Sequence, residues 1–406
     1  MRFIRNISWI FGANLIASFT KWLILVVIAK ILTPADVGAY SLAFAIGAPV
    51  TLFANMKLRS LYITERKNDF NDYINARSIL SLLAFIVLLC IGFFIYPEYL
   101  FVIILVGLIK IFDLQSDLYY ALPHKEEDMD YIGKLMISKH IITFFAFGIT
   151  LFVSKDLVIS LSMQLIFQVL FLILVEKKSI RYKYYKKERK FVLGNVKKVI
   201  LIGLPLGFVQ MIFSFNASYP RYLLEFLESA EVLGYFSAIV YLVTIGNMMM
   251  NAVSQNFLPI LSNKIKRKEY KSFKKNLYVN LTLVSLGLGV ILILFSYLFG
   301  EFFLEIVYGA EYANYVDILI LMSIAISVNF ISWNFDTALL AMRYISIQPK
   351  ISIAALILNV IVGYLLISKY GIYGATYTVI IINFVQLVLR IVFVNRRLKS
   401  FMRLKT

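Results

Sequence analysis

Ionisable and amide side chains at helical spacing inside apolar stretches are the residues of this chain that could do chemistry. Lys21 lies near the middle of one such stretch, with Asn14 and Ser18 on the same helical face. A second face carries Lys110, Asp113 and Asp117, and a third carries Gln210, Ser214 and Arg221. Further faces hold Asn247, Asn251, Ser254 and Gln255, then Asn329, Asp336 and Arg343, then Asn383, Gln386 and Arg390. An ammonium or guanidinium group is suited to anions. Amides and hydroxyls suit sugar hydroxyls, or one another across helices. The candidate substrate contacts are Lys21, Asn14, Ser18, Gln210, Arg221, Asn247 and Asn251. Asp113, Asp117 and Asp336 are the carboxylates that could carry a coupling ion, H+ or Na+.

Plainer roles compete with these. Lys110 and Asp113 stand at i,i+3 and could neutralise each other. Asp117 is close enough to one membrane surface to be solvated, and Arg343 and Arg390 could snorkel to it. Glu225, one turn beyond Arg221, could offset that charge. Lys21 has no acid within a turn, which singles it out for a cavity.

Other chemistries find little support. Cys90 is the single cysteine, and His124 and His140 have no partners at metal-ligand spacing, so neither a catalytic set nor a metal site is expected, and no cofactor. Asp128-Met-Asp130 sits in a short turn with no catalytic domain around it. Gly133-Lys134 lacks the upstream glycine of a phosphate-binding loop. This disfavours a membrane glycosyltransferase, a polymerase and an ATP-driven pump.

The elements that must position these side chains follow from composition. Of 406 residues, 61% are hydrophobic, and the mean hydropathy is +0.81, more apolar surface than a soluble core can bury. Twelve spans are expected, at 9–31, 37–56, 77–96, 99–121, 132–153 and 157–175, then 198–219, 233–258, 277–299, 316–341, 351–368 and 373–394. The run from Trp9 lacks a small-residue cleavage site and reads as a retained first helix. Net charge is +18. In a soluble chain that would suggest nucleic acid. Here roughly thirty basic residues fall on one side of the alternating spans against about four on the other, which puts both termini in the cytoplasm and excludes a nucleic-acid partner. Arg2, Arg5, Lys57, Arg59, Arg66, Lys67 and Arg77 are among them, as are the connections 176–198 and 263–276 and the tail NRRLKSFMRLKT.

The basic middle connection divides the chain into an N-lobe at 1–176, a linker at 177–197 and a C-lobe at 198–406. Six spans per lobe imply a parallel repeat. LTPADVGAYSLA at 32–43 and LESAEVLGYFSA at 227–238 recur at equivalent places, with Asp36 matching Glu231. Gly203-Leu-Pro205-Leu-Gly207 and the Gly47/Pro49 pair are expected to interrupt the seventh and second spans.

With these segments in view, the chain resembles the O-antigen and polysaccharide flippases of the Wzx type. Their superfamily also holds multidrug and toxic-compound extrusion transporters and peptidoglycan-precursor flippases. The resemblance runs over nearly the whole chain. It rests on LTPADVGAYSLA, GLPLG, RYLLEFLESAEVLGYFSA at 221–238, VYGAEYANY at 307–315 and YGIYGATYT at 370–378. An acid often precedes the Arg-Tyr pair in such proteins; Pro220 stands there in this chain.

The resemblance implies an all-α integral membrane fold of two six-helix lobes, related by a pseudo-two-fold axis around a central cavity. It implies alternating access in the bacterial inner membrane, with a polyprenyl-diphosphate-linked oligosaccharide as cargo, membrane lipid around it and other polysaccharide-assembly membrane proteins as partners. O-antigen or lipopolysaccharide biosynthesis is the expected setting. A diphosphate is strongly anionic, and a lone cavity lysine such as Lys21 would offset it. The alternative is an ion-coupled small-molecule exporter, an antiporter on the same fold. An exporter of organic cations would favour an acid-lined N-lobe, whereas the first span offers Lys21 and no carboxylate.

Overall fold

Apolar stretches in lipid must satisfy their backbone hydrogen bonds internally, so each is expected to be a helix. The computed structural model describes residues 2–64, 69–185 and 192–403, and all regular structure among them is helical. Arg66, Lys67, residues 186–191 and Lys405 lie outside the described residues, as do the side chains of Arg2, Arg5, Asn251 and Gln255.

The long helices are α1 (Arg2–Ile31), α2 (Pro34–Asn55), α3 (Phe70–Phe94), α4 (Leu100–Tyr119), α5 (Met129–Ser154) and α6 (Leu157–Tyr184). They continue with α7 (Leu193–Leu227), α8 (Ala230–Lys266), α9 (Thr282–Val307) and α10 (Val316–Ala341). The last continuous stretch, Gln348–Arg403, reverses at Gly371, where φ is 51° and ψ −127°. Only glycine adopts such a conformation cheaply, and the two limbs are α11 (348–370) and α12 (372–403). Ten helical stretches are long and apolar enough to cross a bilayer among the described residues, counting α11 and α12 together. Adding α8, whose apolar part is Ala230–Thr244, and dividing the last stretch yields the twelve expected spans. Large apolar side chains such as Phe94, Phe152, Ile291 and Leu365 are exposed on the helices, as lipid-facing surfaces require.

The chain divides into two compact units, Met1–Ser218 and Tyr219–Thr406, with the division inside α7. In the first unit α1 packs mainly on α5, α2 and α3 on α4, and α5 on α6. In the second, α10 is the centre, touching α8, α9 and the final hairpin. The repeated segments start α2 and α8. Thr33 caps α2 in a reciprocal box with Asp36, and Ser229 Oγ accepts from the Val232 N–H to cap α8. The caps are one residue out of register, yet the matched Tyr40 and Tyr235, and Ala43 and Ala238, are all buried.

Three expectations are corrected. Arg77, counted with the cytoplasmic loop charges, is fully buried and donates to the carbonyls of Ala54 (2.8 Å) and Asn55 (3.1 Å), closing the C-terminus of α2, where a cation is favoured. Gly203 and Gly207 do not interrupt α7. They let it approach α2, since a Cβ at Gly207 would lie 2.6 Å from the Phe53 carbonyl oxygen. Nor does α2 break at Gly47 and Pro49: the helix is continuous, and Gly47 makes room for the Lys110 side chain.

A charged cavity as candidate functional site

Helices α1, α2, α4, α5 and α6 enclose a cavity of about 290 Å³ within the first unit. Its lining includes Lys21, Tyr40, Phe44, Lys110, Asp113, Lys139, His140, Thr143, Gln164 and Gln168. Thus three ammonium groups and one carboxylate share one small space, at a depth where each charge costs about 3 kcal/mol on insertion scales. Such a site persists only if the charges compensate one another or serve a ligand.

The compensation centres on Asp113. Lys139 Nζ donates to Asp113 Oδ1 at 3.0 Å, Gln168 Nε2 donates to the same oxygen at 3.0 Å, and Lys21 Nζ stands 3.9 Å from Oδ2. Lys139 is buried (3% exposed), whereas the Lys21 side chain is 48% exposed. Lys110 does not pair with Asp113 among the described residues. Its ammonium sits 3.3 Å from the centroid of the Phe44 ring, a cation–π contact. The expected i,i+3 pairing is therefore replaced by contacts between helices, and Lys21 is not a lone lysine.

Behind the cavity wall, Glu176 is wholly buried. Its carboxylate accepts from Ser116 Oγ at 2.5 Å and from the Tyr120 hydroxyl, and Lys139 Nζ lies 4.0 Å away. Helix geometry explains its position. Eight residues beyond Gln168, a regular α-helix would turn Glu176 about 80° off that face. The wider π-turn Leu172–Lys177 takes the drift back.

A model of the polysaccharide biosynthesis protein family matches residues 3–265. The capsular polysaccharide biosynthesis protein CapF of Staphylococcus aureus is 32% identical over 394 residues, covering 95% of this chain and 97% of CapF. The chain belongs to the polysaccharide biosynthesis protein family. Solved structures carry the same fold. The lipid II flippase MurJ, in an inward closed conformation, superposes with a TM-score of 0.75 at 14% identity, covering 96% of this chain and 88% of MurJ. The Vibrio cholerae MATE transporter VcmN gives 0.64 at 13% identity, covering 98% and 97%. A MOP superfamily transporter from Pyrococcus furiosus gives 0.59 at 12% identity, covering 99% and 96%; for that protein, reversed polarity of the binding pocket is taken to suggest a different function. The resemblance to polysaccharide flippases of this superfamily therefore holds. The chain is a multi-pass membrane protein of a polysaccharide biosynthesis family, with the fold of these solved transporters and of MurJ.

Among the family member's expected site residues, Lys21 and Asp113 meet in the cavity. Asn14 and Ser18 share the helix with Lys21 but do not line the cavity; Thr20 does. Asp117 is paired with Arg59 at 3.0 Å, and Arg59 also meets His124 Nδ1 at 3.0 Å. Gln210 lies in the first unit, its Oε1 buried with no hydrogen-bond partner among the described residues. In the second unit, Arg221 stacks 5.6 Å from the Tyr241 ring centroid, and Asn247 Oδ1 is buried with no hydrogen-bond partner among the described residues. Asp336 lies 3.5 Å from Arg390 Nε and accepts from Gln348. Arg390, expected to snorkel, is instead buried, and it donates to Ser332 Oγ at 2.7 Å.

Sequence reasoning missed Lys139, Gln164, Gln168 and Glu176. Two i,i+4 pairs, Lys139/Thr143 and Gln164/Gln168, were the available signal for α5 and α6. Asp128, in the turn before α5, binds Lys183 at 2.9 Å and the Tyr184 hydroxyl. Its partial burial raises the carboxyl pKa, but these hydrogen bonds outweigh that and hold it below the usual range. The Asp128/Asp130 pair is thus occupied by side chains of its own unit, Asp130 by Lys134 at 4.0 Å.

Proposed function

We propose that this protein flips a polyprenyl-diphosphate-linked oligosaccharide, the repeat unit of a surface polysaccharide, across the cytoplasmic membrane of a bacterium. The observation that carries this reading is the excess of ammonium groups in the first-unit cavity: Lys21, Lys110 and Lys139 against Asp113. A diphosphate headgroup supplies the missing negative charge, and Lys21 is exposed enough to meet it. Gln164, Gln168, Thr143 and Tyr40 suit the first sugars. The polyprenyl tail stays in lipid, so no closed tunnel is needed. Residues 1–176 and 198–406 act as two lobes in alternating access, with the basic segment 177–197 and both termini on the cytoplasmic side. Similarity to a capsule protein favours a capsular or related glycan as cargo alongside O-antigen.

The small-molecule exporter is the weaker reading. An organic cation would meet three ammonium groups, and the one lining carboxylate is already paired with Lys139. If ion coupling operates, Asp113 is its first candidate, ahead of Asp117 and Asp336, because it faces the cavity. Substituting Asn at each of the three without altering the pH dependence of transport would remove ion coupling through these acids.

The deciding experiment is the sidedness of lipid-linked oligosaccharide in cells lacking the gene. An impermeant lectin or glycosidase is applied to right-side-out and inverted vesicles. Build-up of a repeat-unit lipid on the cytoplasmic face, relieved by restoring the gene, is expected. Correctly placed, unchanged glycolipid would move the exporter reading to first place.

A further inference from the structure

Glu176 is the most completely buried acid near the cavity, and it does not line the cavity. A buried, ionised carboxylate is costly unless its oxygens are filled. Here Ser116 and Tyr120, one turn apart on or just beyond α4, fill them from one side, and Lys139 approaches at 4.0 Å from the other. Lys139 therefore lies between two carboxylates, Asp113 at 3.0 Å and Glu176 at 4.0 Å. Its aliphatic stem is enclosed, and Tyr120, the residue that holds Glu176, has its ring 5.7 Å from the Lys139 ammonium. Lys21 and Lys110 are held less closely by carboxylates. Lys21 reaches Asp113 only at 3.9 Å, and Lys110 rests on a neutral ring.

We propose that Glu176 sets the net charge of the cavity by holding Lys139 as a structural cation, leaving Lys21 and Lys110 to bind the anionic headgroup and to release it again. The proposal rests on the reading of the cavity as a diphosphate site, and it adds a positioning residue to that site. Three ammonium groups offset by Asp113 alone would bind a diphosphate more tightly and let it go more slowly. A transporter needs an affinity that permits both entry and exit. A carboxylate one layer behind the wall lowers the affinity without occupying the space where the headgroup sits. The π-turn is the local distortion that brings it there.

The test is a charge-compensation cycle on the full-length protein in detergent, with inorganic pyrophosphate as probe and calorimetry at several salt concentrations. Glu176→Gln removes the counter-charge and should raise pyrophosphate affinity about tenfold, with a steeper salt dependence. Lys139→Met should lower affinity by a similar factor, because Asp113 and Glu176 then compete for Lys21. The double variant has the wild-type net charge and should return to within about twofold of wild type. Glu176→Asp keeps the charge and should stay near wild type. In vesicles, Glu176→Gln should slow turnover at saturating cargo while lowering the cargo concentration for half-maximal rate.

A purely structural role for Glu176 predicts instead that the double variant is no better than Lys139→Met, and that result overturns the proposal. Should Glu176→Gln fail to fold, comparing Lys139→Met with the double variant still decides the question. Wild-type protein that binds no pyrophosphate at low salt would overturn the diphosphate reading and this proposal together. Binding that Lys21→Met abolishes, with a cycle that does not close, would sink only the role of Glu176.

Discussion

The two units are built from similar spans but use their polar side chains differently. In the first, charges meet in the interior: Lys21, Asp113, Lys139 and Glu176 form a chain of ion pairs, and Lys110 stands beside it. In the second, the interior is mostly neutral. Asn334 Nδ2 donates to Ser285 Oγ at 2.8 Å, Ser296 and Ser323 hydroxyls meet at 2.7 Å, and Asn383 Nδ2 donates to the Ala325 carbonyl at 2.9 Å. These neutral contacts join α9, α10 and α12 as packing elements, each worth about 1 kcal/mol or less. The Asp336–Arg390 pair is a charged contact of this unit, close to the turn that joins α10 to α11. Neutral hydrogen bonds are sufficient to assemble helices. On the proposed function, charges beyond those that assembly needs belong to the unit that meets the anionic headgroup.

This contrast can be broken in several ways. The largest effect on folding should come from Asp113→Asn. It leaves Lys139 and Lys21 short of their shared partner and should cost about 3–5 kcal/mol, read as a lower melting temperature and less protein in the membrane. Adding Lys139→Met should recover much of that loss. Lys21→Ala should leave protein level and insertion normal and abolish export, a loss of about a hundredfold or more, ~2.7 kcal/mol. Normal export by that variant would take Lys21 out of the mechanism.

The second unit should respond in the opposite sense. Asn334→Leu should reduce stability by about 1 kcal/mol while export per folded molecule is retained, because among the described residues Asn334 bonds to Ser285 and the Leu281 carbonyl within its own unit. A transport defect as large as that of Lys21→Ala would erase the distinction between the units. The smallest effect should be Tyr184→Phe, at the surface turn. The folded Asp128 carboxyl is held below its ordinary value, so its contribution is present above about pH 4 and fades as pH falls through the folded value. Because the site is mostly solvated, Tyr184→Phe should cost under about 1 kcal/mol at pH 7. The melting temperatures of wild type and Tyr184→Phe should differ slightly at pH 7 and converge in strong acid.

The candidate site was half legible. Lys21 stood out because a charge in an apolar run with no acid nearby has no local explanation. Asp113 was visible too, but with the wrong partner: its sequence neighbour Lys110 lies over Phe44, while its true partner, Lys139, comes from another helix 26 residues away. Asn14 and Ser18 show the limit of helical-face reasoning, since sharing a face with Lys21 did not place them on the cavity. Arg77 and Arg390 were read as surface charges because each stands near a span end. In fact Arg77 closes α2 and Arg390 joins α10 to α12. Span ends look alike in sequence whether a neighbouring helix covers them or not.

By itself, the sequence determined that this chain is helical, membrane-embedded and arranged as twelve spans, and its motifs pointed to the family. Those properties follow from hydropathy, helix length and local caps, which are encoded in short stretches of residues. Only the tertiary structure decided which charges meet. An ion pair between helices depends on rotation and depth, and a single π-turn in α6 changes both for every residue after it. Glu176 reads as the first residue of a basic connection in the sequence, and its place behind the cavity is a product of that turn and of the Ser116 and Tyr120 hydroxyls waiting for it.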